Sequence, residues 1–150
     1  MNIYKACCLY GGEYGACGPN LRDRVRADGL ISVADLDDDT ETHFRNLRFT
    51  DLLANFKWKE CELIENRIGR TLDPTEKICE LHRNKLGIGW KQPTTCLHPA
   101  HPPLIRGKKG PATRLVPLPM VNYLNERQPF SFVVGGRMCT KHRKIEDTKK

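Results

Sequence analysis

Two segments of the chain, residues 77–83 and 137–143, share one order of residue types: a basic residue, an apolar residue, Cys, two further residues, His and Arg. On a helix, residues three positions apart lie on the same face. Cys79 with His82, and Cys139 with His142, can therefore bind one metal ion each from a single turn, through a thiolate and an imidazole. Each pair supplies half of a four-ligand site.

The first pair has candidate partners near the N-terminus, in Cys7, Cys8 and Cys17. Glycines follow these cysteines closely, and glycine permits the tight turns with positive φ that a metal-binding loop requires. Because Cys7 and Cys8 point in different directions in any backbone, we expect only one of them to be a ligand. We favour Cys8, which leaves eight residues before Cys17.

The second pair has candidate partners in a proline-rich segment, where Cys96 is followed by His98 and His101. A loop stiffened by proline has little conformational entropy left to lose when it binds a metal. We favour His101 over His98 as the ligand. The pairing we expect is two zinc ions per chain, one on Cys8 (or Cys7), Cys17, Cys79 and His82, the other on Cys96, His101, Cys139 and His142. The alternative pairing places Cys79, His82, Cys96 and His101 on one ion, and leaves the other candidates without partners.

Cysteine and histidine usage supports metal binding over disulfides. The 150 residues include seven cysteines, an odd number that suits a disulfide framework poorly, and four of the five histidines lie within five residues of a cysteine. Hydrophobic residues make up 39% of the chain, so the core is thin and a metal would help to hold it. The sequence has neither an apolar run long enough for a membrane span nor a secretory h-region, and we expect an intracellular protein with reduced thiols.

Positive charge is concentrated in the last third of the chain. Residues 1–101 carry 14 Lys and Arg against 15 Asp and Glu, whereas residues 102–150 carry 11 against three. We therefore expect a zinc module with a long helical insertion over residues 1–101, and over residues 102–150 a basic linker with a strand, turn and helix that complete a second zinc module. A polyanion is the expected partner. The candidate nucleic-acid contacts are Arg106, Lys108, Lys109, Arg114, Arg137, Lys141, Arg143 and Lys144.

The local patterns predict the elements that would hold these ligands. An amphipathic helix is expected over residues 51–68, ending at Gly69, with Cys61 facing the core. Asp73 and Pro74 indicate the start of a helix of about thirteen residues that would enclose Cys79 and His82 and end at Gly87. Residues 120–124 predict a turn or two of helix, and residues 130–134 a strand that turns through two glycines into a helix near Cys139. The expected fold is small, mixed α/β, loop-rich and zinc-stapled, with two successive treble-clef-like sites.

The N-terminal part of the chain resembles the THAP-type zinc finger and, more loosely, the zinc-finger-associated domain of insect transcription factors. The resemblance is carried by Cys8, Cys17 and the Ile-Cys-x2-His motif at residues 78–82. The resemblance covers residues 1–87. It implies a nuclear module that binds DNA or a chromatin partner, and it implies no catalysis.

The functional hypothesis is a zinc-dependent nucleic-acid-binding protein, with DNA favoured over RNA, of a nuclear regulatory or transposon-derived kind. Sites closed by four protein ligands leave no position for a substrate, so we expect no enzyme activity, no small-molecule substrate and no membrane partner. The alternative is a zinc-stabilised protein-interaction module whose basic tail only solubilises or targets it.

Overall fold

A computed structural model describes residues 3–12, 14–18, 30–47, 49, 58–93, 95–98 and 113–148. In these ranges the chain forms five helices and two small antiparallel sheets, which confirms a small mixed α/β fold. The strands are β1 Leu30–Ser32, β2 Lys77–Cys79, β3 Thr113–Leu115 and β4 Arg137–Cys139. The helices are α1 Glu41–Asn46, α2 Glu60–Ile68, α3 Glu80–Leu86, α4 Leu118–Arg127 and α5 Thr140–Thr148. None of the helices in these ranges is long and apolar enough to cross a membrane.

The same arrangement of strands occurs twice. β1 pairs with β2 so that Leu30 lies opposite Cys79, and β3 pairs with β4 so that Thr113 lies opposite Cys139. A cysteine-bearing segment adds a parallel bridge to each hairpin, from Cys7 to Lys77 and from Cys96 to Arg137. Helix α3 follows β2, and α5 follows β4, without an intervening residue. The repeated sequence motif thus corresponds to a repeated structural unit.

Helix α2 contributes to two hydrophobic cores. Ile64 and Ile68 pack in a first core with the residues around β1, β2 and α3, while Leu63 packs in a second core with α1, α4 and the segment that leads into β4. All three side chains are buried. Because consecutive residues of α2 belong to different cores, this helix joins the two repeated units. The domain boundary expected at residue 101 stays a prediction.

The helix expected from Asp73 to Gly87 is partly wrong. Asp73 and Pro74 form a turn, in which the Asp73 carboxylate accepts from the Thr75 amide at 2.8 Å and the Asp73 carbonyl accepts from the Glu76 amide at 2.9 Å. β2 follows this turn because it pairs with β1, and the helix begins only at Glu80. The end at Gly87 is confirmed, and a side chain at this position would place its Cβ 2.6 Å from the Arg83 carbonyl oxygen.

Helix α2 begins later than the expected residue 51, since Trp58 and Lys59 are not helical and residues 51–57 lie outside the described ranges. Its end at Gly69 is confirmed, with a left-handed φ of 83°. Cys61 is half-buried against the first core, as expected.

The strand expected over residues 130–134 is wrong, because side chains take the hydrogen bonds that a partner strand would have made. Asn125 and Asn66 both donate to the Phe132 carbonyl, and Asn66 accepts from the Val134 amide at 2.7 Å. The segment therefore turns, and Phe130 has a positive φ of 59°. The short helix expected near residues 120–124 is confirmed as the longer α4.

Candidate metal centre

Cys7, Cys17, Cys79 and His82 bring their ligand atoms within 4.8 Å of one another, and we call this group site one. The His82 Nδ1 lies 3.5 Å from the Cys7 Sγ, 3.7 Å from the Cys17 Sγ and 3.2 Å from the Cys79 Sγ. In a tetrahedral zinc site with ordinary bond lengths, sulfur and nitrogen ligands are about 3.5 Å apart. The spacing in site one therefore suits a metal ion of this size and geometry.

Site one depends on the junction of β2 and α3. Cys79 is the N-cap of α3, with extended backbone, and its sulfur accepts from the His82 amide at 3.5 Å. The imidazole Nε2 of His82 lies 2.8 Å from the Gly15 carbonyl oxygen. A hydrogen bond from Nε2 to this carbonyl leaves the Nδ1 lone pair free to bind a metal, which is the usual arrangement around metal-binding histidines. The same-turn Cys/His pair is thus present, although Cys79 caps the helix instead of lying inside it.

Cys7, and not Cys8, belongs to site one, so our preference for Cys8 is wrong. The reason is the pairing of this segment with β2, in which Cys7 bridges to Lys77 and the Cys8 amide donates to the Lys77 carbonyl. This register directs the Cys7 sulfur inward, where it accepts from the Cys79 amide at 3.3 Å. Cys7 is buried, whereas Cys8 is half-buried outside the ligand group.

Two thiols of site one, those of Cys17 and Cys79, are difficult to ionise without a compensating cation. Burial, together with the neighbouring Cys7, raises the pKa of Cys17 to about 12. The hydrogen bond with Cys7, together with burial, raises the pKa of Cys79 to about 11. A divalent cation would offset the repulsion between adjacent thiolates, because coordination deprotonates thiols outright.

Cys96, Cys139 and His142 form a second group, which we call site two. The His142 Nδ1 lies 3.7 Å from the Cys96 Sγ and 3.0 Å from the Cys139 Sγ. Cys139 ends β4 and His142 lies in the first turn of α5, as Cys79 and His82 do in site one. Cys96 bridges to Arg137 in the same way that Cys7 bridges to Lys77. Site two therefore repeats three of the four positions of site one.

The two candidates for the fourth ligand of site two, His98 and His101, have different outcomes. His98 is not in the ligand group; its Nε2 lies 2.6 Å from a Glu146 carboxylate oxygen, and its ring stacks on the His142 ring at 4.5 Å. His101 lies outside the described residues, and its role as a ligand stays a prediction. We did not anticipate Glu146 from the sequence, although its position four residues after His142 places both on one face of α5.

The alternative pairing of Cys79 and His82 with Cys96 and His101 is not what the described residues show. Cys79 and His82 share their group with Cys7 and Cys17, while Cys96 lies with Cys139 and His142. Cys61 belongs to neither group.

The candidate nucleic-acid contacts occupy several environments. Arg106, Lys108 and Lys109 lie outside the described residues. Arg114 is exposed on β3, whereas half-buried Arg137 donates to the Thr113 carbonyl at 2.7 Å and so supports the hairpin. The remaining three side chains lie on α5. Lys141 and Lys144 are exposed and Arg143 is half-buried. None of the three makes an ion pair within the described ranges.

Comparison with known proteins gave no relative: no family model matches the chain, and neither the curated proteins nor the solved structures searched contain a match.

Proposed function

We propose that the chain is a zinc-dependent nucleic-acid-binding protein. Two structural zinc ions stabilise its fold, and a basic helix, α5, contacts the nucleic acid. The observation that carries this proposal is the repeated ligand group, in which a cysteine directly before a helix and a histidine in the first turn of that helix meet one or two cysteines from a distant segment. Zinc is the metal we favour because cysteine and histidine ligands in tetrahedral arrangement suit it best. His101 would complete site two.

The comparison of α3 with α5 supports α5 as the contact helix. Arg83 of α3 is held by Glu60, at 2.7 Å, and by Asp38, at 3.1 Å. Its counterpart in the repeat, Arg143 of α5, has no ion-pair partner in the part of the chain that the structure describes. Lysines occupy two further positions of α5, Lys141 and Lys144, where α3 has Leu81 and Asn84. Helix α5 thus carries three basic residues, whereas α3 carries two, Arg83 and Lys85, and the first of these is ion-paired.

The resemblance to THAP-type and zinc-finger-associated domains agrees with this proposal and adds a nuclear location to it. Ligand sets of four protein side chains would leave no open coordination position, so the proposed zinc ions have a structural role and the protein no catalytic one. Duplex DNA is the favoured partner. A helix fixed by metal at its first turn can place side chains against base edges reproducibly, which a flexible basic tail cannot do.

Binding to duplex DNA at two salt concentrations tests the proposal. The variant Lys141→Gln, Arg143→Gln, Lys144→Gln removes three charges from α5, and we expect weaker binding, a shallower salt dependence and a smaller difference between a preferred and a scrambled duplex. A matched control, Lys77→Gln, Lys85→Gln, Lys91→Gln, removes three charges from exposed positions outside α5. We expect a much smaller effect from this control.

Two results would contradict the proposal. Equal decreases in affinity in the two variants would show that binding depends on net charge and not on α5. Unchanged affinity in both would favour the alternative of a zinc-stabilised protein-interaction module.

A further inference from the structure

Arg67 is a buried cation that lies between the two repeated units. It belongs to α2, is only 8% exposed, and its guanidinium contacts the Trp90 ring face at 4.1 Å. Burial lowers the pKa of Arg67 to about 9, so the side chain remains charged at neutral pH. A buried charge requires hydrogen-bond acceptors, and its acceptors here come from both units.

One side of the guanidinium contacts the unit that carries site one. Nη1 of Arg67 donates to the Leu86 carbonyl at 2.8 Å and to the Gly87 carbonyl at 2.7 Å. These carbonyls lie at the C-terminal end of α3, the helix that begins after Cys79 and carries His82. The position is also electrostatically favourable, because the C-terminal end of a helix carries partial negative charge.

The other side of the guanidinium contacts the unit that carries site two. Nη2 of Arg67 donates to the Val134 carbonyl at 3.1 Å and lies 2.8 Å from Nε2 of His43. Val134 is in the turn that leads into β4, and β4 ends at Cys139. Nε of Arg67 has no hydrogen-bond partner among the described residues, so the buried cation already lacks one acceptor before any other is removed.

We propose that Arg67 is a positioning residue that couples the two metal sites, so that metal bound at one site raises the affinity of the other. Metal at site one orders α3 and presents the Leu86 and Gly87 carbonyls, whereas metal at site two orders β4 and the turn at Val134. If either unit loses its ordered structure, the buried guanidinium loses the hydrogen-bond acceptors of that unit. The other unit must then pack against a buried charge that lacks hydrogen-bond partners. This inference rests on the proposed function in one respect, namely that both sites hold a metal ion.

Titration with Co²⁺, followed by its visible absorption, measures the coupling. Two one-site proteins are needed: Cys7→Ser, Cys17→Ser, which disables site one, and Cys96→Ser, Cys139→Ser, which disables site two. The coupling factor is the overall two-metal constant of the unsubstituted protein divided by the product of the two one-site constants. Because site-to-site couplings are typically between 5-fold and 150-fold, we expect a factor of about ten.

The coupling factor is then measured again in an Arg67→Lys background, where the charge is kept but the forked set of donors is removed. We expect it to fall to about one. Asn66→Ala is the matched control, because Asn66 is the neighbouring buried residue of α2 and its hydrogen-bond partners among the described residues, Phe132 and Val134, both lie on the side of site two. We expect this variant to weaken site two while the coupling factor stays near ten.

A second measurement does not depend on whether Arg67 variants fold. In the protein with site one disabled and Co²⁺ at site two, the Val134 amide should exchange its hydrogen faster than in the two-metal protein, by the coupling factor. An unchanged rate would overturn the inference, as would a coupling factor near one in the unsubstituted protein or one that survives Arg67→Lys. Unsubstituted protein that fails to bind two metal ions would instead refute the metal sites themselves.

Discussion

The ion pair between Glu60 and Arg83 offers a quantitative test of how α3 is held in place. The Glu60 side chain is fully buried and accepts from Nε of Arg83 at 2.7 Å and from its Nη2 at 2.9 Å. Glu60 also accepts from the Asp38 amide at 2.9 Å. Substituting Glu60→Gln removes the charge but keeps the shape and one acceptor oxygen, so the main change is an Arg83 guanidinium that loses its buried carboxylate.

Breaking a buried ion pair by removing one partner costs about 3–5 kcal/mol. Arg83 is 11% exposed and retains Asp38 at 3.1 Å, a carboxylate that is itself 45% exposed and therefore a weaker replacement. We expect the free energy of unfolding to fall by the lower end of that range, about 3 kcal/mol. Urea unfolding of the zinc-saturated protein, followed by circular dichroism, measures this decrease.

The pair between Glu41 and Arg45 is the matched control, because it is also a carboxylate–guanidinium pair at 2.9 Å but is 47% and 67% exposed. Glu41→Gln should change the free energy of unfolding by no more than about 0.5 kcal/mol. If Glu60→Gln lowers the free energy of unfolding no more than Glu41→Gln does, then the buried ion pair does not hold α3 in place.

Two further predictions concern acid stability and the basic linker. Burial and the nearby Arg67 lower the pKa of His43 from 6.5 to about 4, so the folded protein favours neutral His43. This preference adds up to about 3 kcal/mol to the free energy of unfolding. The contribution is complete above pH 6.5 and is lost as the pH falls towards 4. Urea unfolding of the unsubstituted protein and of His43→Gln between pH 4 and 7 checks this, and parallel pH profiles would contradict it. Neutralising Arg106, Lys108, Lys109 and Arg114 should weaken binding to all DNA sequences alike and reduce the slope of log K on log salt by about one unit for each phosphate interaction removed. A selective decrease in affinity for the preferred duplex in binding assays would contradict that role.

Ligand pairs were predictable where the relevant spacing is local. Cys79 with His82, and Cys139 with His142, were identified because three residues of chain bring them onto one turn, whatever the surrounding fold. The end of α2 at Gly69 and that of α3 at Gly87 were predictable for a similar reason, since glycine acts on its own backbone.

Features that depend on distant pairing were missed. The choice between Cys7 and Cys8 is made by the bridge to Lys77, seventy residues away, and the start of α3 is delayed because β2 pairs with β1. The turn at Phe132 likewise depends on Asn66 of α2. No local propensity contains these interactions, so the sequence patterns alone favoured a longer helix and an extra strand.

Native mass spectrometry, which counts metal ions per chain, combined with chelation tests whether zinc holds this fold together. Because the ligands of each site come from distant parts of the sequence, and structural zinc contributes about 10–16 kcal/mol in zinc-finger peptides, removing the metal should unfold most of the chain. We expect two zinc ions per chain and a large decrease in circular dichroism on adding a chelator. A metal-free protein whose circular dichroism is unchanged by chelator would contradict it.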